Sequence, residues 1–341
     1  MKLKKEVIIA GGGLAGLSLG VALRRRGVPV RLCEAGRYPR HRVCGEFISG
    51  VAEDTLMALG VMDDLADAAR HRAMRWFREG RELLQGELPE SAWAISRWRL
   101  DQRLRDRLVA EGGEVEEGAR QRQTGTEGLV WAAGRVPQRG RWIGLKCHLL
   151  DFPMEDGLEM HMGRNGYFGL TPVENGRVNL CGLFEVDRCL KGKGRELLRA
   201  YLSVGGHGEW VRKFDEVEVD ADSFSAVAGF QLGWQRMNPE GSCVVGDAAG
   251  MIPPFTGNGM SMAFESAAIA VDPLVDWASG RVSWGQTVVR IDHETRLRFR
   301  RRLRHAMALH PFLLRATGQR LLEAFSRCGL VPIRPLVSLI R

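Results

Sequence analysis

Apolar and polar positions change period along the chain, and the changes mark its elements. Glu6–Ala10 (EVIIA) is a short apolar run that stops at three glycines. A run this short, bounded by glycine, reads as a buried strand. From Leu14 the spacing turns helical, with Leu14, Leu17, Val21 and Ala22 on one side, and it closes on Arg24, Arg25 and Arg26 followed by Gly27. Cations suit the negative end of a helix dipole, and glycine suits the left-handed residue just past it. VPVRLCE then predicts a second strand ending in Glu34, eighteen residues after Gly16. Much later, Ser242–Val245 predicts another strand, followed by Gly246-Asp247, a double-proline turn, Gly257-Asn258-Gly259 and a second amphipathic helix. Between these, MRWFREGRELLQGEL and the long stretch from Trp142 to Leu232, with runs such as RVNLCGLF, alternate with period two between glycine turns. That pattern predicts the strands of a separate sheet.

Composition narrows the class. The chain has 341 residues, 45% hydrophobic and 26% charged, which suits one large or two interleaved globular domains. A formal net charge of +8 permits attraction to anionic ligands, nucleic acid or membranes and says nothing about fold. The seven cysteines are scattered, with no C-x-x-C pair and no Cys/His cluster at zinc spacing, so no metal centre and a reduced, cytoplasmic setting are expected. The apolar run after the basic N-terminus is shorter than a signal peptide requires, and no run approaches the roughly 18 residues needed to span a bilayer. Six arginines fall within Arg296–Arg304, followed by Met307, Leu309, Phe312 and Leu313. This basic amphipathic stretch, 296–313, reads either as a solvated helix face or as a peripheral contact with an anionic membrane. No nucleic-acid-binding motif accompanies the charge, so nucleic acid is not an expected partner.

The chemistry begins at the glycines. Gly11, Gly13 and Gly16, with Leu14 and Ala15 between them, form G-x-G-x-x-G at a strand-to-helix turn, and Glu34 ends the next strand. Backbone N–H groups at such a turn can approach a pyrophosphate, and the carboxylate can accept from ribose hydroxyls. In the later segment, Asp247 is an acceptor for sugar-like hydroxyls, and the helix start at Gly259 can stabilise negative charge on a reduced ring.

Three blocks in this order, Gly11–Gly16 with Glu34, RWRLDQRL at Arg97–Leu104, and GDAAGMIPPFTGNGM at Gly246–Met260, resemble the FAD flavoprotein superfamily of aromatic hydroxylases, geranylgeranyl reductases and flavin-dependent halogenases. The resemblance implies an α/β fold: a Rossmann-like FAD-binding domain of the GR2 type, an interleaved antiparallel β-sheet substrate domain and a helical C-terminus. The implied boundaries are 1–68, 97–140 and 234–290 for the FAD domain, 69–96 and 141–233 for the substrate domain, and 291–341 for the C-terminal segment. It places Gly11, Gly13, Leu14, Ala15, Gly16, Glu34 and Ala35 at the adenosine and pyrophosphate, and Arg97, Gly246 and Asp247 along the pyrophosphate and ribityl chain. Ala133 and Gly134 fall at the adenine side. Pro254, Gly257, Asn258, Gly259 and Met260 flank the isoalloxazine. RYPRHRVCGEFISG at Arg37–Gly50 is similar to the reductases' R-x-K-x-C-G element, which brings Arg42, Val43, Cys44 and Gly45 to the cofactor; Arg37 and Arg40 are expected in solvent.

Two departures qualify the resemblance. The strands usually inserted before the V-x-A-x-G segment are missing ahead of LVWAAGR, so this part of the FAD domain is expected to be abbreviated. In NGYFGLTP, Tyr167 and Pro172 match the reductases' Y-x-W-x-F-P element, but Gly169 and Thr171 stand at the Trp and Phe positions, which removes an aromatic wall. The halogenases' W-x-W-x-I-P element has no counterpart. The expected activity is oxidoreduction of a hydrophobic small molecule such as an aromatic, polyketide or isoprenoid. It proceeds either by hydroxylation through a flavin hydroperoxide or by reduction or dehydrogenation of a C=C bond, with NAD(P)H as transient reductant. Catalytic candidates are Cys44, Glu46 and Tyr167, with His41 and His148 as further acid–base groups; Cys44 is either a reactive thiol or a packed, neutral one. The rival readings are a flavin-binding protein without turnover and a membrane-surface protein with a vestigial dinucleotide site.

Overall fold

The computed structural model describes residues 4–134, 140–235, 239–328 and 335. Residues 1–3, 135–139 and 236–238 of the expected FAD-domain segments, and 329–334 and 336–341 of the expected C-terminal segment, lie outside the described residues. The chain opens with β1 (Val7–Ala10), α1 (Leu14–Arg25) and β2 (Val30–Glu34), then β3 (Phe47–Ile48) and α2 (Glu53–Leu59). A long hairpin follows, β4 (Ala69–Arg78) and β5 (Arg81–Ala94), then α3 (Arg97–Ala110), β6 (Glu114–Glu117) and β7 (Leu129–Trp131). The middle contains β8 (Trp142–Leu149), β9 (Leu158–Met162), β10 (Gly166–Pro172), β11 (Val178–Glu185), α4 (Gly194–Val204), α5 (Gly208–Glu216) and β12 (Val219–Phe230). Short strands β13 (Gly233–Trp234), β14 (Cys243–Val244) and β15 (Gly250–Met251) precede α6 (Gly259–Ala278), α7 (Trp284–Leu314) and α8 (Ala316–Arg327).

Among the described residues the strands form two main sheets. The first has the order β14-β7-β1-β2-β6 with every ladder parallel. Parallel neighbours need crossovers, and the apolar helix α1, buried over Leu14–Leu23, supplies the one between β1 and β2. At Gly20 a Cβ would stand only 3.0 Å from the side chain of Leu108 in α3, so glycine there permits close helix packing. Residues 118–128 join β6 to β7 without a helix or strand, which is the abbreviation the sequence predicts.

The second sheet has the order β12-β8-β11-β10-β9-β4-β5-β3 and is antiparallel except for the parallel β4–β9 ladder. Period-two alternation divides its faces. Leu145, Cys147, Leu149, Phe168 and Leu180 enter a core with Leu198, Tyr201, Trp210 and Phe214 of α4 and α5. Lys146, His148 and Asn179 point the other way, to His41, Glu46 and Cys44 in the loop that leaves β2, and Tyr167 on the same side meets Phe255. Strand β3 lies in segment 1–68 yet pairs with β5 of the second sheet, so residues 35–48 carry the chain from one sheet to the other. Helix α7 begins at a Ser283–Gln286 capping box and buries Phe299, Leu303, Ala306 and Leu313 over the same side of the second sheet. Among the described residues no helix is long and apolar enough to cross a membrane.

Candidate functional site

The glycine loop connects β1 to α1 with no room to spare. Gly11 has φ +111°, and a Cβ on it would lie 2.5 Å from the backbone nitrogen of Ala133; a Cβ on Gly16 would lie 2.0 Å from the Gly11 carbonyl oxygen. Helix α1 starts at Gly13 with no side-chain cap and no acid in its first turn, leaving its positive end open to an anion. Glu34, at the end of β2, is buried and accepts from the N–H groups of Gly12 (2.8 Å) and Gly36 (2.7 Å). It also pairs with Arg40 (2.8 Å) and Arg42 (3.3 Å). Burial raises its carboxyl, and these donors overcome that and hold it below the usual range. Arg42 also binds Asp101 (2.8 Å), which Arg97 grips through Nε (2.7 Å) and Nη2 (2.9 Å). Arg37 is exposed, as expected, whereas Arg40 is drawn onto Glu34 rather than left in solvent. Asp101 is therefore the organising carboxylate of this end. It stands inside the R-x-x-L-D segment, whose arginine alone drew attention in the sequence.

The later segment brings a second open helix end alongside. Helix α6 begins at Gly259 after Asn258, again with no side-chain cap and no acid in its first turn, and it packs against α1. Gly246 has φ +66° and sits against Ala15, which places Gly246-Asp247 beside the first turn of α1. A Cβ on Gly45, Gly134 or Gly259 would meet nothing within 4 Å, and Ala133, Gly45, Pro254 and Gly259 are exposed. Open backbone at these positions, between two uncapped helix N-termini, fits an extended dinucleotide, and Arg97, Asp247 and the two helix starts are the groups that would hold its phosphates and ribityl chain. Glu34 already accepts four hydrogen bonds, so a ribose hydroxyl would reach it only if Arg40 or Arg42 gave way. Ala35 is exposed just beyond it, and Val43 packs against Gly144 of β8.

On the second-sheet side the catalytic candidates separate. Glu46 is fully buried at φ +54°, a conformation that costs a non-glycine residue about 1–2 kcal/mol. Its carboxylate meets Lys146 Nζ at 3.1 Å, His148 Nε2 at 2.6 Å and the Arg97 backbone N–H at 2.9 Å. Burial raises its carboxyl, and Lys146 and His148 outweigh burial and hold it well below the usual range. His41 Nδ1 lies 3.1 Å from Lys146 Nζ, and burial followed by the Lys146 charge lowers His41 to about 4. The Cys44 thiol is raised, chiefly by burial, and accepts from the Glu46 N–H at 3.4 Å, as a neutral, packed group does. Asn179 donates to the Cys44 carbonyl at 3.0 Å, pinning the loop to β11. Tyr167 is 3% exposed; its hydroxyl is raised by burial and accepts from the Phe255 N–H at 3.1 Å, so it ties β10 to the 254–257 turn.

Three features were not legible in the sequence as site components. Lys146 is wholly buried and central; its only signal was its place two residues before His148 on an alternating strand. A set of aromatic rings from five segments stands beside β10 where the expected wall is missing: Phe255 stacks on His310 of α7 at 5.9 Å, and Tyr167, Trp76 and Trp142 meet that pair edge-on at 5.3–6.5 Å. The space beside Gly169 is closed by Met160, whose sulfur lies 3.0 Å from where a Cβ would stand. Finally, His41, His148 and Asp220 bring ligand-capable atoms within 4.8 Å of one another, a grouping hidden by more than a hundred residues of separation.

Comparison with known proteins agrees with this geometry. The family model described as "FAD binding domain" matches residues 4–150. The menaquinone reductase of Mycobacterium tuberculosis is 23% identical over 324 residues, covering 79% of this chain and 76% of that protein. The fold is shared with a geranylgeranyl bacteriochlorophyll reductase-like protein from Thermoplasma acidophilum (TM-score 0.76, 16% identity, 98% of this chain and 94% of the other). It is also shared with Klebsiella pneumoniae HpxO complexed with FAD and uric acid (TM-score 0.74, 17% identity, 100% and 98%). Residues 4–150 thus match an FAD binding domain, in a chain that shares the fold of the HpxO and reductase-like structures.

Proposed function

We propose that this FAD-dependent oxidoreductase reduces a hydrophobic small molecule bearing a carbon–carbon double bond, of the isoprenoid or quinone type. The observation that carries the reading is the divided face of the second sheet. One half is apolar and aromatic, with Met160, Met162, Tyr167 and Leu183 packed with Phe255 and with His310 of α7, and the other half is charged, with Lys146 and His148 holding Glu46 of the loop before β3. Such a face receives an apolar body at one end and handles protons at the other. FAD, when bound, supplies the two-electron transfer; the chain orients it, excludes water and manages protons. In this reading residues 1–68, 97–140 and 234–290 form the FAD domain, 69–96 and 141–233 the substrate domain, and NAD(P)H the transient reductant. The menaquinone reductase relative, similar over most of this chain, supports the reductase branch. Hydroxylation is the second reading, favoured by the shared fold with HpxO, which is complexed with FAD and uric acid.

The same reading gives residues 296–313 a peripheral contact with an anionic membrane. Arg300, Arg301 and Arg304 have no carboxylate partner among the described residues, and Met307 and Phe312 are each 38% exposed. Anaerobic mixing of the FAD-loaded protein with NADPH or NADH, followed by menadione, tests the function. Flavin bleaching by a nicotinamide and recolouring by menadione without oxygen is the expected result. Recolouring only by oxygen, with hydroxylated product, would move the assignment to the hydroxylase branch; no reduction by either nicotinamide would remove NAD(P)H from it.

A further inference from the structure

We propose that His41, Lys146, Glu46 and His148 form a proton relay between solvent and the reacting face of the second sheet, ending on His148 Nδ1. The proposal deepens the oxidoreductase reading and rests on it for its use. The four groups make three consecutive contacts: His41 Nδ1 to Lys146 Nζ (3.1 Å), Lys146 Nζ to Glu46 Oε1 (3.1 Å), and Glu46 Oε2 to His148 Nε2 (2.6 Å). All are within hydrogen-bond reach. One end is half-buried His41, which stacks at 6.3 Å on Trp98, itself 41% exposed. The other end is His148, whose ring meets that of His41 edge-on at 5.1 Å; it is fully buried, and its Nδ1 has no hydrogen-bond partner among the described residues. A buried polar atom without a partner costs about 1–3 kcal/mol unless something binds there. Its cross-strand neighbour Asn179 carries a second such atom, Oδ1, so both offer hydrogen-bonding capacity on one face.

Stability alone does not account for this arrangement. Replacing a buried ion pair with well-packed apolar side chains is commonly neutral or stabilising, yet Glu46 is also held in a strained backbone conformation to make these contacts. The proton count closes. In the uptake direction a substrate hydroxyl gives its proton to His148 Nδ1, and the His148 Nε2 proton passes to Glu46. Lys146 gives a proton to His41 Nδ1, and His41 releases its Nε2 proton to water. Glu46 passes the proton it gains to Lys146, so these two groups return to their starting states, while His148 and His41 end as the opposite tautomers, which ring rotation or the reverse transfer restores; no electron moves. Delivery to a carbanion or alkoxide is the reverse. The charged and titratable groups around the line are Asp220, opposite His148 in β12 and 3.6 Å from Arg177, together with Cys44, Cys181 and Arg97 near Glu46. Asp220 and the two histidines bring three ligand-type atoms together, and the Lys146 ammonium at His41 Nδ1 opposes a dication at that position.

Proton exchange in the FAD-loaded, histidine-¹⁵N-labelled protein tests the relay without any substrate. The buried His148 Nε2 proton should exchange with water rapidly in the wild type. It should exchange at least about tenfold more slowly in His41→Asn and in Lys146→Met, with backbone amide exchange unchanged as the control for folding. His41→Asn alters a half-exposed residue and keeps the test open should Lys146→Met fold poorly. Equal exchange rates in wild type and His41→Asn would overturn the relay whether or not the protein turns over menadione. So would stoichiometric zinc binding that shifts both histidine signals and is lost in Asp220→Ala.

Discussion

At the glycine loop, Glu34 and Asp101 hold Arg40, Arg42 and Arg97, whose side chains keep 34%, 25% and 12% of their exposure. In the second sheet, Glu46 holds Lys146 and His148, and all three side chains are 0% exposed. The chemistry of the two networks is alike, and the difference in water access gives them different uses. An arginine at the surface can exchange a carboxylate for a phosphate or for solvent at little cost, so the first network can open to admit a dinucleotide. The sealed network has no such exchange available and can only pass protons or break.

The sharpest way to break this comparison is to remove one carboxylate from each network. Glu46→Ala leaves an ammonium buried without its counter-charge and should cost about 3–5 kcal/mol. Glu34→Ala frees Arg40 into water and leaves Arg42 on Asp101, and should cost about 1–2 kcal/mol while weakening FAD binding. Urea unfolding of both variants measures the gap, and equal losses would erase the distinction. Next in size, Gly16→Ala sets a methyl group 2.0 Å from the Gly11 carbonyl, so the loop must rebuild. FAD affinity should fall about 100-fold, roughly 2.7 kcal/mol by titration calorimetry.

Acid separates the buried histidines from the carboxylates by pH window, because Glu46, like Glu34, is held below its ordinary value of 4.5. Burial, the largest cause in each case, depresses His41, His207 and His310 from 6.5 to about 4, so between these values the unfolded chain binds more protons than the folded one. Stability should therefore be complete above about pH 6.5 and fall as the pH drops toward 4. The lowered carboxyl of Glu34 contributes loss only below its ordinary value of 4.5. Thermal melts across this range should steepen first through the histidines, and a loss confined below pH 4.5 would contradict their burial as neutral groups. Tyr167→Phe strips the acceptor from the buried Phe255 N–H and should cost about 1–3 kcal/mol, loosening the 254–257 turn. Cys44→Ala is the smallest change. FAD should stay bound and turnover should stay near the wild-type rate, because the thiol is raised and neutral; a large loss of turnover would make it a reactive group.

These differences also explain what could be read from the chain. Gly11, Gly13, Gly16 and Glu34 act within one βαβ unit, so their roles follow from local spacing. Lys146 gains its role from Glu46, one hundred residues away, and a lysine in an alternating strand otherwise reads as solvated. Strand β3 spans two residues, too few for a periodic signal, yet it carries the Cys44–Glu46 loop across to the second sheet. The aromatic set around Phe255 and His310 draws on five separated segments, so Gly169 and Thr171 look like a lost wall when considered alone.

The most direct test of the central claim is equilibrium titration of FAD into the cofactor-stripped protein, followed by absorption and calorimetry, in wild type, Glu34→Ala and His148→Gln. One FAD per chain should bind to wild type with a bound-flavin spectrum. Affinity should drop at least about tenfold in Glu34→Ala and hold within about twofold in His148→Gln. A wild-type protein that takes up no FAD, or a cofactor affinity set by His148 and indifferent to Glu34, would contradict the account.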